Sequence, residues 1–325
     1  MNNKSLILVT GGAGYIGSII VRQLIEEKYG VIVIDDLRDG KVKAIHPEAI
    51  HYNFDFGNYD DLINIFSSHK IFAVMHLAAS ANVPDSVINP YEYYKNNFNS
   101  TLTLLKVMKS YDVNKIIFSS TAAVYGNPNY IPIDEKHLTK PINPYGYSKL
   151  FIEQVINDFA NAYNFKYVIF RYFCAAGATN YNGESRSYET HLIPNVLDTI
   201  IGKKEEVYVF GNKFNTKDGT GVRDYIHVSD ISDAHILALS KIETLNNKIF
   251  NLGSNKSFSV MDIINISEKT LKKSVNYKIT EKRQGDPDEL TTTSKKAMIE
   301  LGWKPKRNIQ DIIKSAFNWR KNNKY

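Results

Sequence analysis

The segment Leu6-Ile7-Leu8-Val9-Thr10-Gly11-Gly12-Ala13-Gly14-Tyr15-Ile16-Gly17 narrows the fold more than any other part of the chain. A short β-rich apolar run leads into the glycines, and Ile16, Ile19, Ile20 and Leu24 follow at helical spacing, so the segment reads as strand, tight turn and helix. The glycines satisfy both G-x-x-G-x-x-G (11, 14, 17) and G-x-G-x-x-G (12, 14, 17). Without Cβ atoms the backbone approaches a pyrophosphate closely, and free N–H groups at the helix start stabilise its negative charge. Asp35 and Asp36 end the next strand 18 and 19 residues after Gly17, close to the separation of about 20 for an acid that accepts hydrogen bonds from a ribose. A carboxylate there repels a 2′-phosphate, which favours NAD over NADP. Asp55 follows the third strand, either at the rim where adenine lies or as a cap of the turn at Gly57-Asn58.

Further apolar runs without alternation occur at 31–34, 51–54, 72–75, 115–119 and 167–170, as in strands covered on both faces. Residues 91–110 and 145–163 are long enough for crossover helices. The fold class is therefore α/β, a doubly wound parallel Rossmann sheet. Beyond about residue 175 the rhythm breaks, and 177–190 is rich in Gly, Ser, Asn and Glu. The expected division is a NAD-binding domain over 1–175 and a smaller mixed α/β substrate domain over 176–325, with some later segments returning to the first sheet. The lysine- and asparagine-rich end, 321–325, reads as a frayed tail.

Composition restricts the partners. With 43% hydrophobic and 23% charged residues in 325, the chain is that of a folded soluble protein. Its net charge of +6 is scattered without a run of five or six like charges, so anionic small molecules are welcome and a nucleic-acid role is not implied. The single cysteine, Cys174, excludes an internal disulfide and fits a reducing cytoplasm. The apolar start is too short for a signal peptide, and nothing is long enough to span a membrane. Histidines 76, 191, 227 and 235 lack metal-ligand spacing. Each reads as a hydrogen-bonded structural residue, and no metal is expected.

Tyr145 and Lys149, in Pro144-Tyr145-Gly146-Tyr147-Ser148-Lys149, stand at i and i+4, on one face of a helix and one turn apart. A nearby ammonium and a positive nicotinamide ring both favour phenolate; lowering a phenol by about three units takes roughly 4 kcal/mol. Thr121 ends the fifth strand, at the sheet edge where such folds bind ligands. Its hydroxyl can bridge a substrate to the base.

The glycine loop, His76-Leu77-Ala78-Ala79, Tyr93-Tyr94-Lys95-Asn96-Asn97, 119–126, Asn143-Pro144-Tyr145-Gly146, Arg171-Tyr172-Phe173, 218–228 and Leu301-Gly302-Trp303 together resemble the extended short-chain dehydrogenases/reductases. Within them the chain is similar to the UDP-glucose 4-epimerase family along nearly its whole length. The glycine loop and Tyr-Lys pair define only the superfamily; the string 218–228 is much more specific.

This resemblance implies that Tyr145 takes the proton of the sugar 4-hydroxyl while hydride passes to NAD, that the 4-keto sugar turns over, and that hydride returns to its other face. Catalysis falls to Tyr145, Lys149 and Thr121. The cofactor is implied to lie on Gly11, Gly14, Tyr15, Ile16 and Gly17, with Asp35, Asp36, Asp55 and Phe56 at the adenosine end. Ala78, Ala79, Asn96, Tyr145, Lys149 and Tyr172 are also implied on the cofactor, Tyr172 flanking its nicotinamide. For the UDP-sugar, Arg223 and Arg283 are implied on the diphosphate and Asp286 on a ribose hydroxyl. Tyr208 and Phe210 lie along the uracil, while Thr121, Tyr145, Phe173, Cys174, His191, Leu192 and Leu290 line the rest. A homodimer through 91–110 and 145–163 is implied by analogy.

Departures from the family pattern touch substrate contacts. Cys174 replaces an asparagine after Arg171-Tyr172-Phe173, Ala81 stands where some relatives carry a cofactor-binding lysine, and His191 stands where some place an asparagine. Leu290 is intermediate at a gate that sets acceptance of an N-acetyl group, leaving UDP-GlcNAc open beside UDP-glucose. A 4,6-dehydratase is disfavoured because Ala122 and Ala123 occupy the places of its acid and base. An NADPH-dependent reductase is disfavoured by Asp35 and Asp36, and a non-catalytic NAD-sensing regulator by the presence of Thr121, Tyr145 and Lys149 together.

Overall fold

The computed structural model describes residues 4–186, 189–283, 286–322 and 325. Strands β1 (Lys4–Thr10), β2 (Tyr29–Ile34), β3 (Ile50–Tyr52), β4 (Ile71–His76), β5 (Lys115–Thr121) and β6 (Lys166–Tyr172) come from the first half of the chain. Helices α1 (Tyr15–Glu26), α2 (Tyr59–Ser68), α3 (Val83–Ile88), α4 (Pro90–Tyr93), α5 (Ser100–Ser110) and α6 (Pro144–Tyr163) lie between them. The second half adds β7 (Cys174–Ala176), α7 (Leu192–Ile200), β8 (Val207–Phe210), β9 (Val222–His227), α8 (Val228–Lys241), β10 (Lys248–Leu252), β11 (Ser257–Ser259), α9 (Val260–Leu271), β12 (Tyr277–Thr280), β13 (Glu289–Leu290) and α10 (Ile309–Asn322).

Seven parallel strands form one sheet in the order β10-β6-β5-β4-β1-β2-β3. Its apolar runs are continuous because successive side chains point to opposite faces and both faces are covered. Ile7 and Val9 join Ile20, Leu24 and Ile231 on the side of α1 and α8. Leu8 joins Leu62, Leu104 and Ile152 on the side of α2, α5 and α6. A polar substitution anywhere in this run would therefore bury an unpaired group on one side or the other.

From the second half, β10 returns to the large sheet beside β6, with Phe250 opposite Phe170. The remaining strands form two small sheets. β9 is flanked by antiparallel β11 and parallel β13 and also pairs with β7, and β8 pairs with β12. Val196, Leu197, Val209, Ile263, Ile312 and Ile313 form their common core. Among the described residues no helix is long and apolar enough to cross a membrane.

Three local expectations change. The run 91–110 is not one α-helix, because a π-helical turn, Tyr94–Asn99, separates α4 from α5. The third strand stops at Tyr52 rather than Phe54, since the chain turns at Asp55, whose Oδ1 accepts from the Gly57 N–H at 2.8 Å. The end of the chain is not simply frayed: Tyr325 stands edge-on to Trp319 with ring centroids 4.8 Å apart, and its hydroxyl accepts from Asn182 Nδ2 at 3.3 Å.

Candidate functional site

The glycine loop joins β1 to α1 at the carboxyl edge of the sheet. Gly11 has φ +72°, and a Cβ there would lie 2.7 Å from the Ala78 nitrogen. At Gly17 a Cβ would come within 2.1 Å of the Gly11 carbonyl oxygen. Helix and strand approach so closely only because both residues lack side chains. α1 opens at Gly14 with no side-chain cap, which leaves its positive end open to an anion. Such a cradle fits the pyrophosphate of a dinucleotide. The Tyr15 hydroxyl donates to the Gly177 carbonyl at 2.5 Å, fastening this helix start to the chain beyond β7.

At the end of β2, Asp35 faces inward. Its Oδ2 accepts from the Ala13 N–H and its Oδ1 from the Leu37 N–H, both at 2.9 Å. Burial raises its pKa despite these bonds. The acid expected on a ribose is thus first a buttress of the glycine loop. Asp36 is more exposed and pairs with Arg38, so the charge expected to repel a 2′-phosphate is partly neutralised. The Phe56 ring, implied at the adenosine end, is instead buried edge-on against His76, centroids 5.1 Å apart. Asn96 donates from Nδ2 to Ser80 Oγ at 2.9 Å. Its neighbour Asn97 accepts from the Ser80 N–H at 2.8 Å and donates to the Ser80 carbonyl at 3.0 Å and Ser148 Oγ at 3.1 Å. Ala78 and Ala79 stand in the same loop after β4, and Ala78 N donates to Thr10 Oγ1 at 3.3 Å.

The catalytic candidates meet where β5 ends. Asn143 caps α6, accepting from the Gly146 N–H at 2.8 Å, and Pro144 opens the helix. Lys149 Nζ donates to the Ser119 carbonyl at 2.8 Å, and the Tyr145 phenol interacts with the Thr121 hydroxyl. Four helical residues rise about 6 Å and two strand residues about 6.6 Å. The i, i+4 pair on α6 therefore matches the i, i+2 pair on β5. Burial lowers Lys149 to about 7, against the opposing pull of Glu153. Burial also raises Tyr145, with Thr121 and then Arg186 pulling the other way. Thr121 Oγ1 in addition accepts from the Ala123 N–H at 3.1 Å, closing the short turn that carries Ala122 and Ala123.

Beneath the pair lies a network that spacing alone did not identify. Arg171 donates to Glu153 through Nε at 3.0 Å and Nη2 at 2.6 Å. It also donates to the Tyr125 hydroxyl at 2.9 Å, and Ser120 Oγ bonds Glu153. The available signal was Glu153 itself, four residues beyond Lys149 on the same helix. His76 is neutral, held by burial near 3 and hydrogen-bonded to Thr10 and Thr101. Tyr172 turns its hydroxyl into the core onto His235 Nε2 at 2.7 Å, so only its ring remains for a nicotinamide.

Toward the second half, Tyr208 and Phe210 share a face of β8. The Arg283 guanidinium stands 3.7 Å from the centre of the Phe210 ring. Arg223 donates to the carbonyls of Val222 at 2.8 Å and Pro287 at 3.0 Å, and lies 3.7 Å from Asp286. Residues 284 and 285, between Arg283 and Asp286, lie outside the described residues. Phe173 is buried with Ala122, Val124, Tyr125 and Ile133, and Leu290 packs against this group. Tyr15, Cys174, Gly177, Glu184, His191 and Leu192 line one cavity. Burial pushes the Cys174 thiol up to about 11, and His191 bonds Glu189 at 2.7 Å. Ligand atoms of Glu184, Glu189 and His191 lie within 4.8 Å of one another, a convergence that spacing did not reveal, with Arg186 3.4 Å from Glu184.

The chain is similar to known proteins along nearly its whole length. Residues 7–253 match the NAD dependent epimerase/dehydratase family. The chain is 42% identical over 320 residues to a UDP-glucose 4-epimerase of Lacticaseibacillus casei, covering 97% of each. It is 44% identical over 319 residues to one of Halalkalibacterium halodurans, covering 97% of this chain and 95% of that protein. The crystal structure of UDP-glucose 4-epimerase from Bifidobacterium longum in complex with NAD+ and UDP superposes with a TM-score of 0.94 at 37% identity, over 98% of this chain and 99% of that one.

Proposed function

The chain belongs to the NAD dependent epimerase/dehydratase family, and we propose that it inverts C4 of a UDP-hexose, interconverting UDP-glucose and UDP-galactose. The observation that carries this reading is the convergence of Thr121, Tyr145 and Lys149 on one end of β5, in the sheet edge that holds the glycine cradle. Bound NAD supplies the acceptor, and afterwards the donor, of the C4 hydride. Tyr145 takes the proton of the 4-hydroxyl and returns it, Lys149 favours the phenolate by its charge, and Thr121 holds the hydroxyl toward the phenol. Arg223, Arg283 and Asp286 grip the nucleotide, with uracil along Tyr208 and Phe210. The sugar must be held less firmly than the nucleotide, because strong contacts to one face would oppose its turning over.

A dehydratase remains disfavoured: Ala122 and Ala123, in the turn closed by Thr121, offer no group to move a proton. The direct test is to incubate the purified protein with UDP-galactose, and separately with UDP-GlcNAc, without added cofactor. UDP-glucose should form from the first with no net redox change. Absence of conversion by protein shown to contain NAD overturns the reading.

We also infer a cytoplasmic homodimer. Exposed Val87, Ile88 and Tyr91, with Tyr147 and Phe151 one turn apart on α6, support pairing of these helices with a second copy. Light scattering on the purified protein should give about twice the chain mass, and a monomer at micromolar concentration removes this inference.

A further inference from the structure

We propose that Arg38 is a latch across the adenosine end of the NAD site. The inference rests on the reading that the glycine cradle holds NAD, and goes beyond it by giving a role to a side chain that neither the motif nor the family pattern singles out.

Leu37 adopts a left-handed conformation, φ 61°, which turns the chain back so that the Arg38 N–H donates to Asp36 Oδ1 at 3.0 Å. The guanidinium then joins three segments. It pairs with Asp36 after β2, reaches Asp55 Oδ2 after β3 at 3.4 Å, and donates from Nη1 to Asn96 Oδ1 in the π-helical turn at 3.2 Å. Asp36 and Asp55 are the acids assigned above to the ribose and the adenine rim, and Asn96 is among the residues implied on the cofactor. One cation thus bridges the mouth through which an adenosine enters, bound by the acceptors that surround it. Its side chain is 53% exposed, so no packed layer has to break for it to swing aside.

The charges explain why a cation belongs there. Asp36 and Asp55 bring two carboxylates to one rim, and Asp35 lies directly behind; without Arg38 they repel each other. With an adenosine present, a planar guanidinium lies against the base as it does against aromatic rings, while its fork keeps a hold on a carboxylate. Leaving then requires charge-assisted hydrogen bonds to break, which slows release more than it changes entry.

The test compares Arg38→Ala, Arg38→Lys and the unaltered full-length protein, each loaded with labelled NAD and chased with excess unlabelled NAD. Release should accelerate by about 10- to 100-fold in Arg38→Ala and by less in Arg38→Lys, which keeps the charge without the fork. ADP-ribose affinity should fall with that of NAD, while UDP affinity stays as it was. Release from Arg38→Ala as slow as from the unaltered protein overturns the latch, as does an equal loss of UDP affinity. If Arg38→Ala does not fold, Arg38→Lys decides alone, and unchanged release there overturns the proposal. Failure of the unaltered protein to bind NAD would instead refute the assignment of the cradle.

Discussion

Replacing Tyr145 by phenylalanine should lower the turnover of UDP-galactose by about 10²–10⁴-fold, the range supplied by a positioned general base, while the fold and bound NAD persist. The substitution removes one oxygen from a half-buried ring and leaves Lys149 bonded to the Ser119 carbonyl, so packing and cofactor contacts change little. In the free protein burial raises the phenol and brings Lys149 to about 7. Near pH 7 the tyrosine therefore holds its proton, while Lys149 titrates well below the usual lysine range. Turnover of the unaltered protein should rise with pH as the phenol ionises, and residual turnover of Tyr145→Phe should lack that limb. Steady-state rates across a pH series measure both effects, and a variant as fast as the parent would remove Tyr145 from its role as base.

Glu153→Ala should destabilise the fold by about 3–5 kcal/mol, the cost of stranding one member of a buried ion pair. Arg171 is 5% exposed and Glu153 4%, and two of the guanidinium's three nitrogens donate to this carboxylate. Glu153→Gln keeps the shape and an acceptor and should lose less. Glu153 also opposes the fall of the Lys149 pKa, so both variants should lower the fraction of Lys149 that is charged at neutral pH. Urea unfolding followed by circular dichroism gives the stability difference. Midpoints that coincide for the parent and Glu153→Ala would show that the pair does not hold β6 to α6.

Much of this architecture was legible because its chemistry is local. The glycine loop and its flanking elements occupy one continuous stretch, Lys4 to Glu26, and the i, i+4 spacing of Tyr145 and Lys149 carries its own geometry. Runs such as 31–34 and 72–75 declared strands buried on both faces. What escaped depends on contacts between distant segments. Arg38 meets Asp55 and Asn96 only after β2, β3 and the helix beyond β4 have docked. Glu153 finds Arg171 only once β6 lies beside β5. Two adjacent acids at the end of β2 looked equivalent, yet Asp35 buttresses the glycine loop through the Ala13 N–H while Asp36 pairs with the Arg38 guanidinium. Of the site residues taken from family resemblance, Tyr15, Cys174, His191 and Leu192 line one cavity, while the Phe56 ring and the Tyr172 hydroxyl point elsewhere because hydrophobic contact and His235 claim them.

The wide turn at Tyr94–Asn99 has an implication for how this stretch can vary. An α-helix advances about 100° per residue, and the extra residue in a π-helical turn resets that phase. Upstream and downstream portions can then face different neighbours. Asn96 and Asn97, side by side in the chain, both reach Ser80, while Leu104, Leu105 and Met108 point into the sheet core. Excising one residue here would restore regular pitch and remove the wider turn that lets Asn96 and Asn97 both reach Ser80. Length across this stretch should accordingly be guarded more strictly than the identity of most residues within it.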